Sequence, residues 1–383
     1  MKTLDILGRL IAFPTVSADS NLAIIDYIQD YLKKRGFETH RIPDKTGMKA
    51  GLFARIGPTD KAGTMLSGHT DVVPTTGQTW ATDPFKMTVA HGKAFGRGST
   101  DMKGYLACVM ALADRASKAD LLEPLKIAFS YDEEVGCVGI KSMIDKVEDT
   151  IGLPRRCFVG EPTSMQVAIG HKGKVILRAT CHGTNGHSAM APAFLNALHL
   201  ATDFVSELRV LQDDFALTGV RDHDFDMPYS TIHVGKLSGG TAVNIVPEEA
   251  VIEFEFRHLA TDGPDNIQSR ILAVADKVCA AQQGQFPSAK IVVQHLNAYP
   301  ALDTDVNDDA VQYARKLARV SDVTKVSFGT EAGYFSSHLR IPTVVCGPGS
   351  MESQGHKPDE FIALSQLADC DVMLGRLLDD CSR

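Results

Sequence analysis

The chain has 383 residues, 44% hydrophobic and 22% charged, with a formal net charge of -8 at neutral pH. That length exceeds what one hydrophobic core usually fills, so two domains are expected. The acidic balance, with no dense Lys/Arg block, argues against a nucleic-acid partner, and no apolar run approaches the ~20 residues that span a bilayer. The Leu4–Phe13 run is interrupted by Asp5 and Arg9, which makes it a poor secretory leader, so a cytoplasmic location is expected. The eight cysteines form no C-x-x-C pair and several sit in apolar runs, as buried thiols of a reducing compartment do.

Taken in order, Leu4, Leu7, Leu10, Ile24, Ile28 and Leu32 recur at helical spacing and predict one helical stretch over 3–35, closing at Gly36. Strands are expected at Phe37–Ile42, Gly51–Ile56 and Thr64–Val73, then a helix at Tyr105–Ala116. Apolar runs follow at Leu125–Tyr131 and Cys157–Val159, and the alternation implies an α/β fold whose mostly parallel sheet is covered on both faces. The pattern changes near Lys174. Strands at Val175–Cys181, Tyr229–Leu237, Ala250–His258 and Lys290–His295, with helices at Phe194–Leu211 and Pro264–Ala281, give the β-α-β-β-α-β order of a ferredoxin-like sandwich. After Asn297 the first style resumes, with a helix at Val306–Val320, a strand at Ile341–Cys346 and a last helix from Leu364. The expected division is therefore 1–173 and 298–383 for one α/β domain, with 174–297 inserted into it.

Several motifs fail on inspection. Gly96-Arg97-Gly98-Ser99-Thr100-Asp101 lacks the third glycine of a dinucleotide fingerprint, and no G-x-S-x-G elbow exists. Asp222, Asp224 and Asp226 alternate as in a calcium loop, but the required glycine and terminal Glu are missing.

More informative is where the apolar runs stop. One runs into His69 and Asp71, which in extended backbone share a face. Another runs into Asp132, Glu133 and Glu134, a third into Glu161, and a fourth leads through Gly347-Pro348-Gly349 to His356. Ligands of open α/β sheets bind outside the carboxyl ends of strands. A set of imidazoles and carboxylates without thiolates suits Zn²⁺, Co²⁺ or Mn²⁺ in a catalytic site. Taken singly, each residue has an ordinary reading: a capped turn at His69 and Asp71, an N-cap at Asp101, a solvated turn at Glu133 and Glu134, a surface acid at Glu161, a loop histidine at His356.

Five segments together are more specific. Ser67-Gly68-His69-Thr70-Asp71-Val72-Val73-Pro74, Gly96 through Gly104, Asp132-Glu133-Glu134, Gly160-Glu161-Pro162 and Gly355-His356-Lys357-Pro358 resemble, in order, the M20 metallopeptidase family. The resemblance implies a zinc-exopeptidase-like catalytic domain with an inserted ferredoxin-like lid or dimerisation domain, hence a homodimer. It implies two divalent metal ions, Zn²⁺ first and Co²⁺ as an alternative. His69 and Glu161 would hold one, Glu134 and His356 the other, and Asp101 would bridge them, with a cis peptide at Asp101–Met102. Asp71 would orient His69, and Glu133 would be the general base. Gly186-His187-Ser188-Ala189 and the segment Gly239 to Pro247, ending at Arg257, match the inserted module. From these the family implies that His187 reaches the partner subunit's site, while Asn244 and Arg257 bind the substrate carboxylate; the ordinary readings are a helix-capping His187, a turn Asn244 and a strand-end Arg257.

Within the family, the segment from Phe328 through Gly329, Thr330 and Glu331 to Phe335 resembles members that deacetylate acetylornithine. There Gly329 and Thr330 would contact the substrate backbone and Glu331 would face a side-chain cation such as ornithine's. The expected partner is thus a small N-acyl amino acid. Alternatives are a succinyl-diaminopimelate desuccinylase, a general N-acyl-amino-acid deacylase or carboxypeptidase, and, in a different class, a metal-retaining protein without catalysis.

Overall fold

The structure is a computed structural model that describes residues 2–352 and 354–382. Contacts divide the chain into two units, Met1–His171 with Leu302–Arg383, and Lys172–Ala301. The larger unit begins with α1 (Thr3–Ile11), α2 (Leu22–Lys33), β1 (Glu38–Pro43), β2 (Ala50–Ile56) and β3 (Thr64–His69). It continues with β4 (Thr88–Ala90), β5 (Lys93–Phe95), α3 (Lys103–Ala116), β6 (Leu125–Ser130), α4 (Val138–Met143), α5 (Val147–Ile151), β7 (Arg156–Pro162) and β8 (Val167–His171). The smaller unit holds β9 (Gly173–His182), β10 (Gly186–His187), α6 (Ala197–Thr218), β11 (Thr231–Gly239), β12 (Ile245–Val246), β13 (Glu249–His258), α7 (Pro264–Gln283) and β14 (Lys290–Tyr299). The chain then returns to the larger unit through β15 (Leu302–Asp303), α8 (Asp309–Ala318), β16 (Val323–Val326), α9 (Ala332–Leu339), β17 (Thr343–Gly347), β18 (Phe361–Ala363) and α10 (Leu364–Cys381).

The stretch expected as one helix over 3–35 is two helices. Pro14 has no amide hydrogen and restricts Phe13, so α1 stops before it. The released segment is drawn to the sheet instead: Val16 bridges Val72, and the Thr15 hydroxyl donates to Thr70 O at 2.6 Å.

The large sheet has the order β1-β2-β6-β3-β7-β17-β8-β15, with β16 added on β8. Its centre, β6-β3-β7-β17, is parallel; β1, β2 and β6 pair antiparallel, as do β17 with β8 and β8 with β15. The sheet is therefore mixed, with four parallel strands at its centre, antiparallel pairs on either side of them, and β16 parallel to β8. Alternation splits its side chains between two faces. Leu52, Leu66, Ile127 and Phe129 join a core with Leu7, Leu10, Ile28, Leu106, Met110 and Leu374 from the helices. The intervening residues, among them Ser67 and His69, point to the other face.

In the smaller unit the four long strands run antiparallel in the order β11-β13-β9-β14, the arrangement of a ferredoxin-like fold. Every second residue of β9 is buried, and Leu177 packs with Phe204, Phe254, Phe256, Ile267 and Ile271. All eight cysteines are free and buried, and among the described residues no helix is long and apolar enough to cross a membrane.

Candidate metal centre and active site

Because β6, β3, β7 and β17 are parallel neighbours, their carboxyl ends open together along one edge. His69 is the last residue of β3, and Glu161 is the next-to-last residue of β7. Glu133 and Glu134 follow β6, and His356 lies in the loop after β17. Asp101 precedes α3, where the helix dipole favours a carboxylate, and the Asp101–Met102 peptide bond is cis.

These groups converge. His69 Nε2 stands 3.1 Å from Asp101 Oδ1 and 3.6 Å from Glu161 Oε1. His356 Nε2 stands 3.0 Å from both Asp101 Oδ2 and Glu134 Oε2. Asp101 thus faces His69 with one oxygen and His356 with the other. Two sets of donor atoms, His69 with Glu133 and Glu161, and His69 with Asp101 and Glu134, each lie within 4.8 Å of one another.

Asp71 organises the surroundings. One of its oxygens lies 3.4 Å from His69 Nδ1, while the Ser17 hydroxyl donates to the other at 2.7 Å. The same carboxylate accepts the backbone N–H groups of Glu133 and Glu134 at 3.1 and 3.3 Å. Asp71 therefore orients both the imidazole of β3, whose Nδ1 lies 3.0 Å from the Asp71 backbone O, and the acidic turn after β6, held by the carboxylate.

Burial would lower the His69 imidazole, but the Asp101 and Asp71 carboxylates beside it hold it well above its ordinary value. Burial pushes the Glu133 and Glu161 carboxyls well up and Glu134 up to about 7, each reinforced by neighbouring acids. For Asp101 burial acts upward too, yet hydrogen bonds from His356 and His69 outweigh it and hold the carboxyl low. Glu134 Oε1 is buried and has no hydrogen-bond partner. Like charges packed in low dielectric, with an orphaned oxygen and two imidazoles, form a donor set that divalent cations fit.

The sequence profile of peptidase family M20/M25/M40 matches residues 65–380. The chain belongs to this family. It is 31% identical to an acetylornithine deacetylase of Pasteurella multocida, an alignment covering 98% of this chain and 97% of that protein. The M20 family metallo-carboxypeptidase Sso-CP2 from Sulfolobus solfataricus has a similar structure, with a TM-score of 0.80 at 20% identity over 99% of this chain and 98% of its own. A dinuclear metal-binding M20 peptidase from Bacillus subtilis matches with a TM-score of 0.71 at 14% identity, covering 99% and 97%. M20 members are hydrolases of amide bonds, and the mixed sheet with an inserted ferredoxin-like module is their fold.

The other expected residues of this M20 hydrolase are placed as follows. Thr330 is buried, its hydroxyl accepting the Ala332 N–H at 3.0 Å, and Gly329 is half-buried beside it. Glu331 is 1% exposed, and neither of its carboxylate oxygens has a hydrogen-bond partner. Burial pushes its carboxyl up to about 7, a rise the nearby Ser130 hydroxyl and His69 only partly offset. As folded, it offers a substrate cation no exposed carboxylate surface. His187, Asn244 and Arg257 belong to the smaller unit. There His187 Nδ1 accepts the Ala189 N–H at 3.1 Å, Asn244 O accepts the Ser188 N–H at 3.0 Å, and Arg257 Nε donates to Glu255 at 3.0 Å.

Three residues around the M20 site escaped the sequence reading. Ser17 lies in the stretch taken for helix, although Pro14 three residues earlier was a signal against it. Cys137 donates its thiol to Glu133 Oε1 at 3.3 Å. Glu360 follows the His356 motif as one more acid in a polar loop, yet it is 1% exposed.

Proposed function

We propose that this chain is a two-metal amidohydrolase that converts N2-acetyl-L-ornithine and water into L-ornithine and acetate. The observation that carries the reading is the convergence of His69, Asp101, Glu134, Glu161 and His356 at adjacent strand ends in a chain so similar to an acetylornithine deacetylase. His69 and Glu161 would hold one cation and Glu134 and His356 the other, with Asp101 a ligand available to both. A dinuclear metal-binding relative supports the count of two; Zn²⁺ is the expected ion and Co²⁺ the alternative.

When bound, the cations supply Lewis acidity toward water and the scissile carbonyl. Glu133 accepts a proton from the attacking water and returns it to the departing nitrogen, so the amide C–N bond breaks as a C–O bond forms. The Cys137 thiol orients Glu133 for this, and Asp71 fixes the His69 tautomer through Nδ1. Gly329 and Thr330 line the approach of the substrate backbone. Asn244 and Arg257 bind the substrate carboxylate, Arg257 being oriented by Glu255, and His187 steadies the oxyanion across a homodimer formed through the module. The enzyme acts in the cytoplasm on a small soluble metabolite.

The decisive measurement compares kcat/KM for N-acetylornithine, N-succinyl-diaminopimelate and N-acetylmethionine on metal-reconstituted protein, with chelator-treated protein as the blank. N-acetylornithine is expected to lead. A lead for either competitor transfers the reading to a desuccinylase or a general deacylase, and full activity after chelation removes the metals from it. Replacing Glu133 by Gln is expected to lower kcat by about 10²–10⁴-fold while two metal ions per chain remain by elemental analysis.

A further inference from the structure

Two of the five donors stand on strands: His69 ends β3 and Glu161 lies within β7, both in the hydrogen-bonded centre of the sheet. Asp101 and His356 come from loops 255 residues apart in sequence, yet meet at 3.0 Å. Something other than the sheet has to hold those two loops in register.

The contacts single out Glu360. Its Oε1 accepts the N–H groups of Thr100 at 2.9 Å and Asp101 at 3.1 Å, and its Oε2 accepts the N–H of Gly98 at 3.0 Å and Arg97 Nη1 at 2.8 Å. Four donors occupy one carboxylate, three of them backbone groups of the turn that carries Asp101. The guanidinium of Arg97 reaches onward to Lys357 O at 3.3 Å, next to His356. The Thr100 hydroxyl sits 3.0 Å from Gln354 Oε1 and 2.6 Å from Phe361 O, and the Gly96 N–H donates to Glu360 O at 2.9 Å. The segments 96–101 and 354–361 are thus laced together around a buried ion pair, each partner 1% exposed.

We propose that Glu360 is a positioning residue for the loop-borne half of the metal centre, setting Asp101 against His356 so that the cation held by Glu134 and His356 is bound tightly. This rests on the two-metal reading above and adds an asymmetry to it. The His69–Glu161 side is anchored by the sheet, whereas the Glu134–His356 side depends on the Glu360 lacing. A glutamine at position 360 keeps the shape but turns one acceptor oxygen into a donor. Either the Thr100 and Asp101 amides or the Gly98 amide and Arg97 then lose their partner.

The test is titration of metal-free protein with Co²⁺, followed by the visible absorption of the bound ion. Wild type is expected to bind in two phases, and His356→Ala identifies the phase belonging to its side. Glu360→Gln is expected to weaken that same phase by about 10–100-fold, the usual effect of losing a partner that orients a metal ligand, and to weaken the other phase, which shares Asp101 but keeps its sheet-borne ligands His69 and Glu161, distinctly less. Equal weakening of both phases, or of neither, overturns the proposal and leaves the two-metal reading standing. A wild type that takes up fewer than two Co²⁺ overturns both. Should Glu360→Gln not fold, Arg97→Lys keeps the backbone bonds to Glu360 but loses the reach to Lys357. The same phase is expected to weaken, and an unaltered titration overturns the proposal.

Discussion

Glu331 shows how burial redirects the reading of a residue. A carboxylate beside a site proposed to take a cationic amino acid invites the idea of a direct ion pair, yet this one is closed off against the Ser67 and Ser130 side of the sheet. Its influence runs through the groups it touches, since a buried acid acts on its neighbours' charge at short range. Glu331→Gln is therefore expected to change KM for N-acetylornithine and N-acetylmethionine in equal proportion. Steady-state kinetics with both substrates checks this, and a rise confined to N-acetylornithine would bring the carboxylate into contact with the substrate. Asp71 makes the complementary point. Its two oxygens serve His69, Ser17 and the amides of Glu133 and Glu134, so one residue sets the orientation of the proposed ligand and of the proposed base together.

At the scale of elements, β7 carries Glu161 into the site beneath α3, and the two approach very closely. A Cβ on Gly160 would lie 2.1 Å from the Tyr105 ring, whose own helix is packed into the core and has no room to retreat. Gly160→Ala is expected to destabilise the protein by about 1–3 kcal/mol, read from urea unfolding, and to weaken metal binding as Glu161 is displaced. Unchanged stability with unchanged metal affinity would mean that α3 yields. The same elements explain what the sequence disclosed. The strands that lead into His69, Glu133 and Glu161 are short, fully or nearly fully buried segments that stop at polar residues, so both the α/β class and the polar cluster were legible. The pairs β4–β5 and β15–β8 are short and carry no periodicity, β8 is separated from β9 by a single residue, and β16 is only half-buried. The helix break at Pro14 was hidden because apolar residues on either side of it keep helical spacing. Glu360 was hidden because a loop acid looks solvated until the opposing turn arrives from far along the chain.

For the molecule as a whole, the clustered acids and imidazoles make stability depend on pH in a definite direction. In metal-free protein the Glu134 and Glu331 carboxyls are pushed up to about 7 and the His356 imidazole up to about 10. Each therefore holds its proton more firmly folded than unfolded. The carboxyl contribution falls away as pH rises from the ordinary glutamate range through about 7, and the imidazole contribution as pH rises from the ordinary histidine range through about 10. Asp101, held low, opposes this only below the ordinary aspartate range. The melting temperature of chelated protein is expected to decline steadily from mildly acidic to alkaline buffer. Added Zn²⁺ is expected to raise it most at the alkaline end, because the donors must shed protons to bind the ion. Differential scanning calorimetry across that range checks both slopes, and a chelated protein whose melting point climbs with pH would contradict them.

The position of β17 has a consequence for how the molecule comes into being. It lies between β7 and β8 in the sheet, yet the ribosome makes it only after the entire inserted module. Until then the nascent larger unit has a slot one strand wide, with unpaired backbone on either side, and His356 has not yet been translated. Assembly of the centre thus waits on β17 and the loop that carries His356, and a transcript cut short before them is expected to yield a catalytically silent product with open strand edges, the kind of polypeptide that chaperones and proteases recognise.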